Sequence, residues 1–326
     1  MAANPNPRVS VVIPMYNAQK TIEKSLAALE KQTFRDFEVV IVDDGSTDKS
    51  PDIVKSYKMR MHLKLLKQKN SGPAKARNLG AKEASGNIVV FTDSDCVPRE
   101  DWLSEMIAPF EDASVAGVQG TYETLNRDKL VARYVGYEIA YRHEQMNMRK
   151  DIDFIGTFSA AYRKNLFWEA GGFDVSFLTS SGEDPDLSYR MKAKGYRMVC
   201  NPRAVVAHPH PETLYKFLRQ QFWRGYWRVP MFGKHKKKII ADSYSGNELF
   251  FQAIFSVLFM ASLLSLNAVI VAITGAALLI SNLPIALYSA KKGKKFFLIA
   301  PIIASMRSIA GSLGFIYGFF RFNLKL

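Results

Sequence analysis

Two cysteines in 326 residues are too few for a disulfide framework, and Cys96 and Cys200 have neither metal-ligand nor redox spacing. A reducing compartment suits such a chain. The opening residues, MAANPNPRVS, lack the basic-then-apolar order of a secretory leader, so the first domain is expected to stay in the cytoplasm. No internal repeat and no low-complexity tract is present. The most informative absence is charge. From Leu249 to Ala290 there are 42 residues without one Asp, Glu, Lys or Arg. A soluble core rarely needs so long an uncharged run.

Elsewhere charge is plentiful and lopsided. The net charge is +14 and the pI about 9.6. A basic excess suits nucleic acid, an anionic membrane surface or a phosphorylated ligand. Here it is concentrated: Lys216 to Lys238 contains eight Lys or Arg and no acid, and Lys291, Lys292, Lys294 and Lys295 form a second cluster. Both border the uncharged tract, which favours a membrane over nucleic acid; the plainer alternative is a solvated basic linker.

The first half alternates two periodicities. Val9–Pro14, Phe37–Val42, Leu63–Lys67 and Ile88–Thr92 read as strands, and residues 18–31 and 72–84 as helices. Such alternation predicts an α/β domain on a doubly wound, mostly parallel sheet, with ligands beyond the carboxyl ends of the strands. Polar clusters stand at those ends: Tyr16-Asn17, Asp43-Asp44 and Asp93-Ser94-Asp95. Farther on, 129–149 reads as helical, 154–162 as extended, and 186–194 as a helix closed by Gly195.

A membrane span needs about 20 apolar residues. Residues 249–290 suit two spans with a turn near Ser265–Asn267, their basic flanks facing the cytoplasm. Phe296–Phe320 is a third apolar stretch, interrupted by Arg307, whose charge is costly at mid-bilayer. It either spans, packs on the first two or re-enters. Lys216–Arg228 interleaves Arg219, Arg224 and Arg228 with Phe217, Phe222, Trp223, Tyr226 and Trp227. That pattern suits a helix at the membrane interface, or one packed on the catalytic domain.

Four clusters could carry chemistry. Asp93 and Asp95 leave one face of an extended chain, and paired carboxylates repel unless a cation sits between them. Oxygen ligands suit Mg²⁺ or Mn²⁺, which also bridge phosphate oxygens. Asp43-Asp44-Gly45-Ser46 could hold a nucleobase or ribose, or serve as a turn and helix cap. Asn70 to Asn78 joins a loop to a helix start, where free N–H groups with Lys75 or Arg77 would suit a phosphate. Asp174, Glu183, Asp184 and Asp186 stand in a glycine-broken stretch, and either Asp184 or Asp186 could be a general base.

Taken together, Val11-Val12-Ile13-Pro14-Met15-Tyr16-Asn17, Val42-Asp43-Asp44-Gly45-Ser46-Thr47-Asp48, Ala76-Arg77-Asn78, Asp93-Ser94-Asp95, Gly171-Gly172-Phe173-Asp174 and Gly182-Glu183-Asp184 resemble, in order and spacing, the family 2 glycosyltransferases over about residues 8–230. The resemblance implies a GT-A catalytic domain over 1–215, a basic-aromatic interfacial segment over 216–246 and a membrane region of two or three helices over 247–326. It implies that Asp44 contacts the nucleotide base, with Pro14 and Tyr16 lining that pocket and Asp43 mainly structural. Arg77 would sit near the diphosphate. Asp93 would lie over the ribose and the metal's outer shell, beside Ser94, and Asp95 would ligate Mn²⁺ or Mg²⁺. Asp184 would deprotonate the acceptor, and Glu183 would position acceptor or loop. His208 stands where a histidine ligand can occur, though it suits a plain surface residue equally. Gln221-Phe222-Trp223-Arg224-Gly225 is similar to the Q-x-x-R-W element of processive synthases, but Gly225 replaces the tryptophan; Gln221 and Arg224 remain candidates for acceptor or diphosphate contacts.

The expected activity is inverting transfer of a single sugar from a UDP- or GDP-linked donor to a polyprenyl phosphate or lipid-linked glycan, by a multi-pass cell-membrane protein with its catalytic domain cytoplasmic. The rivals are a processive polysaccharide synthase and a non-catalytic nucleotide-binding membrane scaffold.

Overall fold

The structure is a computed structural model describing residues 7–57, 62–177, 179 and 182–323. By packing, the chain forms two compact units. The first comprises the chain up to Glu123 together with Met146–Pro209, the second Thr124–Gln145 together with the chain from His210 onward.

In the first unit the elements run β1 (Val9–Met15), α1 (Ile22–Glu30), β2 (Phe37–Asp43), α2 (Ser50–Ser56), β3 (Leu63–Lys67), α3 (Pro73–Glu83), β4 (Ile88–Thr92), β5 (Val97–Pro98), α4 (Trp102–Ile107) and β6 (Val115–Thr124). After the excursion into the second unit come β7 (Ser159–Arg163), α6 (Lys164–Glu169), α7 (Glu183–Ala193) and β8 (Arg197–His208). The eight strands form one sheet in the order β3-β2-β1-β4-β7-β6-β8-β5. β2 and β4 are buried along their whole length, as strands covered on both faces must be. That is why their sequences are nearly unbroken apolar runs.

The first four strands pair in parallel, Val9 opposite both Phe37 and Ile88. Parallel pairing stops there: β7 runs antiparallel to β4 and β6, and β5 antiparallel to β8. The sheet is therefore mixed, not mostly parallel. A parallel neighbour needs a long crossover, usually helical, and the strand–helix alternation that supplies it ends near Asp95. The in-register parallel half brings the carboxyl ends together. Met15 pairs with Asp43, and the Asp44 amide donates to the Met15 carbonyl at 2.8 Å.

The second unit is helical: α5 (Leu130–Asn147), α8 (Leu214–Lys234), α9 (Glu248–Leu264), α10 (Ala268–Ile280), α11 (Leu283–Lys292) and α12 (Phe296–Asn323). The expected turn at 265–267 is present, with Leu266 at φ 52° and the Asn267 side chain capping α10. α12, with 28 residues, is long and apolar enough to cross a membrane. α10 and α11 pass the same test together but are bent by 50°. α9, at 17 residues, would be about 26 Å long, just short of a ~30 Å hydrocarbon core.

α8 and α12 approach backbone to backbone. A Cβ at Gly225 would collide with the Gly311 carbonyl oxygen, and one at Gly314 with that of Phe222. Gly225, the departure from the synthase element, is thus where two helices cross. Arg307 of α12 is buried but not alone. It donates to the Glu138 carboxylate of α5 and the Gln252 amide oxygen of α9, while Arg142 shares Glu138 at 2.6 Å. Partners from neighbouring helices thus answer the mid-helix charge.

Candidate active site at the carboxyl end of β4

Two groups of side chains gather where β4 ends. The first is centred on Arg77. The buried face of α3 presents its guanidinium, which donates to Asp93 and to Glu183, each at 2.9 Å. Arg77 and Glu183 are 2% and 1% exposed, and Asp93 is 30% exposed, so the first two cannot rely on water for solvation. Burial opposes the Arg77 charge, but the carboxylates of Asp93, Asp184 and Glu183 outweigh it and hold the group more firmly protonated than usual.

Glu183 and Asp184 open α7, where a helix N-terminus favours negative charge. The glycine pair 171–172 takes φ of 90° and 62°, a left-handed turn closed to most other residues. It delivers Phe173 beneath Arg77, 5.9 Å from guanidinium carbon to ring centroid. The Asn78 side chain locks this turn, accepting from the Phe173 amide at 2.9 Å and donating to its carbonyl at 2.7 Å.

Asp184 Oδ2 accepts from the Thr157 amide at 3.1 Å and its hydroxyl at 3.2 Å. Its Oδ1 is buried with no hydrogen-bond partner among the described residues. Burial, and then the neighbouring Glu183 charge, push the Asp184 carboxyl up to about 7, with Arg77 and the Thr157 amide pulling the other way. A carboxylate half-ionised near neutrality with an open oxygen is equipped to accept a proton. Asp186, the alternative base, is committed to Arg190 at 2.7 Å, whose guanidinium also ties down the Ala170 and Gly172 carbonyls. Those contacts make Asp186 part of the scaffold behind the glycine turn.

The second group follows from strand pairing. β5 lies antiparallel to β8 with Val97 opposite Ala207. One step outward, that register sets His208 beside the turn holding Asp95 and Cys96. His208 Nε2 is 3.4 Å from Asp95 Oδ2. One ligand atom each of Asp95, Cys96 and His208 lies within 4.8 Å of the others. The turn is pinned from α1, where the Ser25 hydroxyl donates to the carbonyls of Ser94 (3.1 Å) and Cys96 (2.6 Å). An oxygen and an imidazole nitrogen at this separation suit a small divalent cation.

Near the ends of β1 and β2, Asp43 Oδ1 accepts from the Ser46 amide at 2.9 Å, which sets the turn. Asp44 is more engaged than the sequence suggested. Its oxygens accept from Gln68 (2.7 Å), the Ser71 amide (2.8 Å) and the Gly72 amide (2.9 Å). It therefore fixes the loop leading into α3. Pro14 is partly buried and Tyr16 is 51% exposed. Gln221 and Arg224 stand on α8 of the second unit, partly buried and exposed respectively.

Sequence reasoning assigned Thr157 no role, showed Asn78 only within the Ala76-Arg77-Asn78 motif, and offered no metal-ligand spacing for Cys96, which the fold nonetheless sets beside Asp95 and His208. Asn78 carried a signal in that motif. Thr157 carried none. A cavity of about 630 Å³ opens elsewhere, at the amino ends of β1 and β4 between Arg8, Asn87 and Arg163, and no candidate residue lines it.

Residues 10–171 match the model of the family "Glycosyl transferase family 2". The chain is 30% identical over 249 residues to the pre-mycofactocin glycosyltransferase of Mycobacterium tuberculosis, covering 74% of this chain and 51% of that one. It is 31% identical over 239 residues to the validoxylamine A glucosyltransferase of Streptomyces hygroscopicus, covering 64% and 57%. The chain thus spans about half the length of the curated relatives it matches. Among solved structures, a mannosyltransferase from Pyrobaculum calidifontis, crystallised with GDP-mannose and Mn²⁺, superposes with a TM-score of 0.61 at 24% identity, covering 96% of this chain and 88% of that one. That likeness shows a shared GT-A-type fold.

Proposed function

The chain belongs to glycosyl transferase family 2, and on that premise we propose that it moves a single sugar from a nucleoside-diphosphate sugar to a membrane-bound acceptor with inversion. The observation that carries this reading is the convergence of Arg77, Asp93, Glu183 and Asp184 on the carboxyl end of β4, where α/β sheets bind ligands. Asp184 takes the proton of the acceptor hydroxyl as that oxygen bonds to the anomeric carbon and the nucleoside diphosphate departs. Thr157 aims Asp184, and Arg77 fixes Asp93 and Glu183 around it. Asp95 and His208 would hold a divalent cation, Mn²⁺ or Mg²⁺, which supplies positive charge to the leaving diphosphate. Pro14, Tyr16 and the loop held by Asp44 would receive the nucleoside.

A membrane acceptor on the cytoplasmic face, a polyprenyl phosphate or lipid-linked glycan, fits the second unit. Besides the apolar length of α12, large apolar side chains stand exposed along these helices, among them Leu264 (85%), Leu266 (92%) and Leu298 (70%). Patches of this kind mark a membrane or a partner. The basic runs Lys236–Lys238 and Lys291–Lys295 would draw phosphorylated headgroups to that surface.

The purified full chain, given a panel of nucleotide sugars, Mn²⁺ and a membrane lipid extract, should release nucleoside diphosphate, and mass spectrometry should find a lipid heavier by one sugar. A long polymer would point to a processive synthase instead. Donor binding without turnover across the panel would sink the enzymatic reading.

A further inference from the structure

The thiol of Cys96 lies in the cluster that would hold the cation, and nothing in the function proposed above uses it. Cys96 is fully buried, directly follows Asp95, and shares the 4.8 Å cluster with Asp95 and His208. Three features give it a fixed aim. Its amide donates to the Asp93 carbonyl at 3.1 Å, and its carbonyl accepts from Ser25. The β5–β8 ladder starts at the next residue. The Tyr122 ring packs against the imidazole of His208, 5.1 Å between ring centroids.

His208 Nε2 and Asp95 Oδ2, 3.4 Å apart, could both reach one small ion. An oxygen, a nitrogen and a sulfur are the donors of a tetrahedral zinc-type site, with one position open. Mg²⁺ and Mn²⁺ gain little from sulfur, while Zn²⁺, Cd²⁺ and Co²⁺ gain much.

We propose that Cys96 is a third protein ligand at the Asp95–His208 centre, making it a mixed oxygen, nitrogen and sulfur site that takes thiophilic divalent cations more tightly than Mn²⁺ or Mg²⁺. The proposal rests on the reading of Asp95 and His208 as cation ligands. On binding, the Cys96 S–H proton passes to solvent and the sulfur lone pair forms the bond to the metal. No electron is transferred. Zn²⁺ then competes with the hard cation at the same centre.

The test is a titration of the reduced full chain with Cd²⁺ and Co²⁺, following the near-ultraviolet thiolate-to-metal charge-transfer band, alongside Mn²⁺ binding read by electron paramagnetic resonance. One equivalent of Cd²⁺ should raise the band and displace bound Mn²⁺. The band should persist in Cys200→Ser and vanish in Cys96→Ser, with Cd²⁺ affinity falling roughly 10–100-fold, the range seen when support for a metal site is lost. Asp95→Asn and His208→Ala, which keep both thiols, should weaken the band too, so the outcome does not depend on Cys96→Ser folding. Cd²⁺ that displaces Mn²⁺ without a thiolate band would overturn the role of Cys96 and leave the Asp95–His208 centre standing. Mn²⁺ and Cd²⁺ binding that is unaffected by Asp95→Asn would overturn both.

Discussion

At the scale of single residues, the site is a problem in placing like charges. Asp93, Glu183 and Asp184 are crowded around one buried guanidinium, and the surplus of negative charge falls on Asp184. If Asp184 is the base, kcat/KM should fall as pH drops below about 7, and Asp184→Asn should lose roughly 10²–10⁴-fold in turnover, the usual worth of a positioned base. A pH profile identical in wild type and a residually active Asp184→Glu would remove it from that role. The same carboxyl gives a stability signature. Its pKa is raised on folding, so its favourable contribution is complete below about pH 4 and is lost as pH rises through about 7. Metal-free protein should therefore lose thermal stability across that window, and Asp184→Asn should flatten the loss. Arg77→Met would strand buried Glu183, at a cost of about 3–5 kcal/mol by chemical denaturation. The candidate acids were legible in the sequence because each stands at the end of an apolar run or in a glycine-broken loop. Their division of labour was not legible in the residues alone and came only as what the family resemblance implies. Choosing Asp184 over Asp186 needs the partner of each, and Thr157 and Arg190 gain that meaning only once the chain is folded.

At the scale of elements, backbone shape decides the outcome. Gly172→Ala puts a Cβ 2.9 Å from the Asn78 side-chain oxygen in a backbone conformation that L-residues rarely adopt. It should cost on the order of 1–3 kcal/mol and, by shifting Phe173, reduce activity more than stability; unchanged turnover would show that the turn does not position Arg77. Gly225→Trp, which restores the synthase-like element, should drive α8 from α12 and lower the melting temperature in detergent. A variant as stable as wild type would mean that the crossing can open cheaply. The parallel half of the sheet could be read from periodicity because β1, β2 and β4 are short, largely apolar runs between polar loops and β3 starts an alternation of leucine and lysine. β6 and β8 could not. Polar residues such as Gln119 and Thr121 in β6 and Asn201 and Arg203 in β8, the first and third of them buried, leave neither a continuous apolar run nor a clean alternation. α9 and the α10–α11 stretch were legible from their lack of charge, but the bend between α10 and α11 was not, since Ser281-Asn282 interrupts the run only slightly.

At the scale of the whole chain, Glu138 is the hub of the second unit's buried charges, because Arg307 and Arg142 both depend on it. Glu138→Ala should therefore be worse than Arg307→Met: the first strands two cations, the second leaves Glu138 still paired. Thermal unfolding in detergent should rank them in that order, the first losing about 3–5 kcal/mol; the reverse order would show that Arg142 does not share the load. The reversal of strand direction after β4 also has a consequence for synthesis. Arg77 meets Glu183 across 106 residues, and His208 reaches Asp95 only once the last strand has docked. A nascent chain can lay down its parallel strands early, yet Arg77 lacks Glu183 until residue 183 has been made, and Asp95 lacks its His208 neighbour until residue 208. The side chains of the candidate site thus come together late in synthesis, and a polypeptide cut short before β8 would lack both the His208–Asp95 pair and the strand that joins β6 to β5.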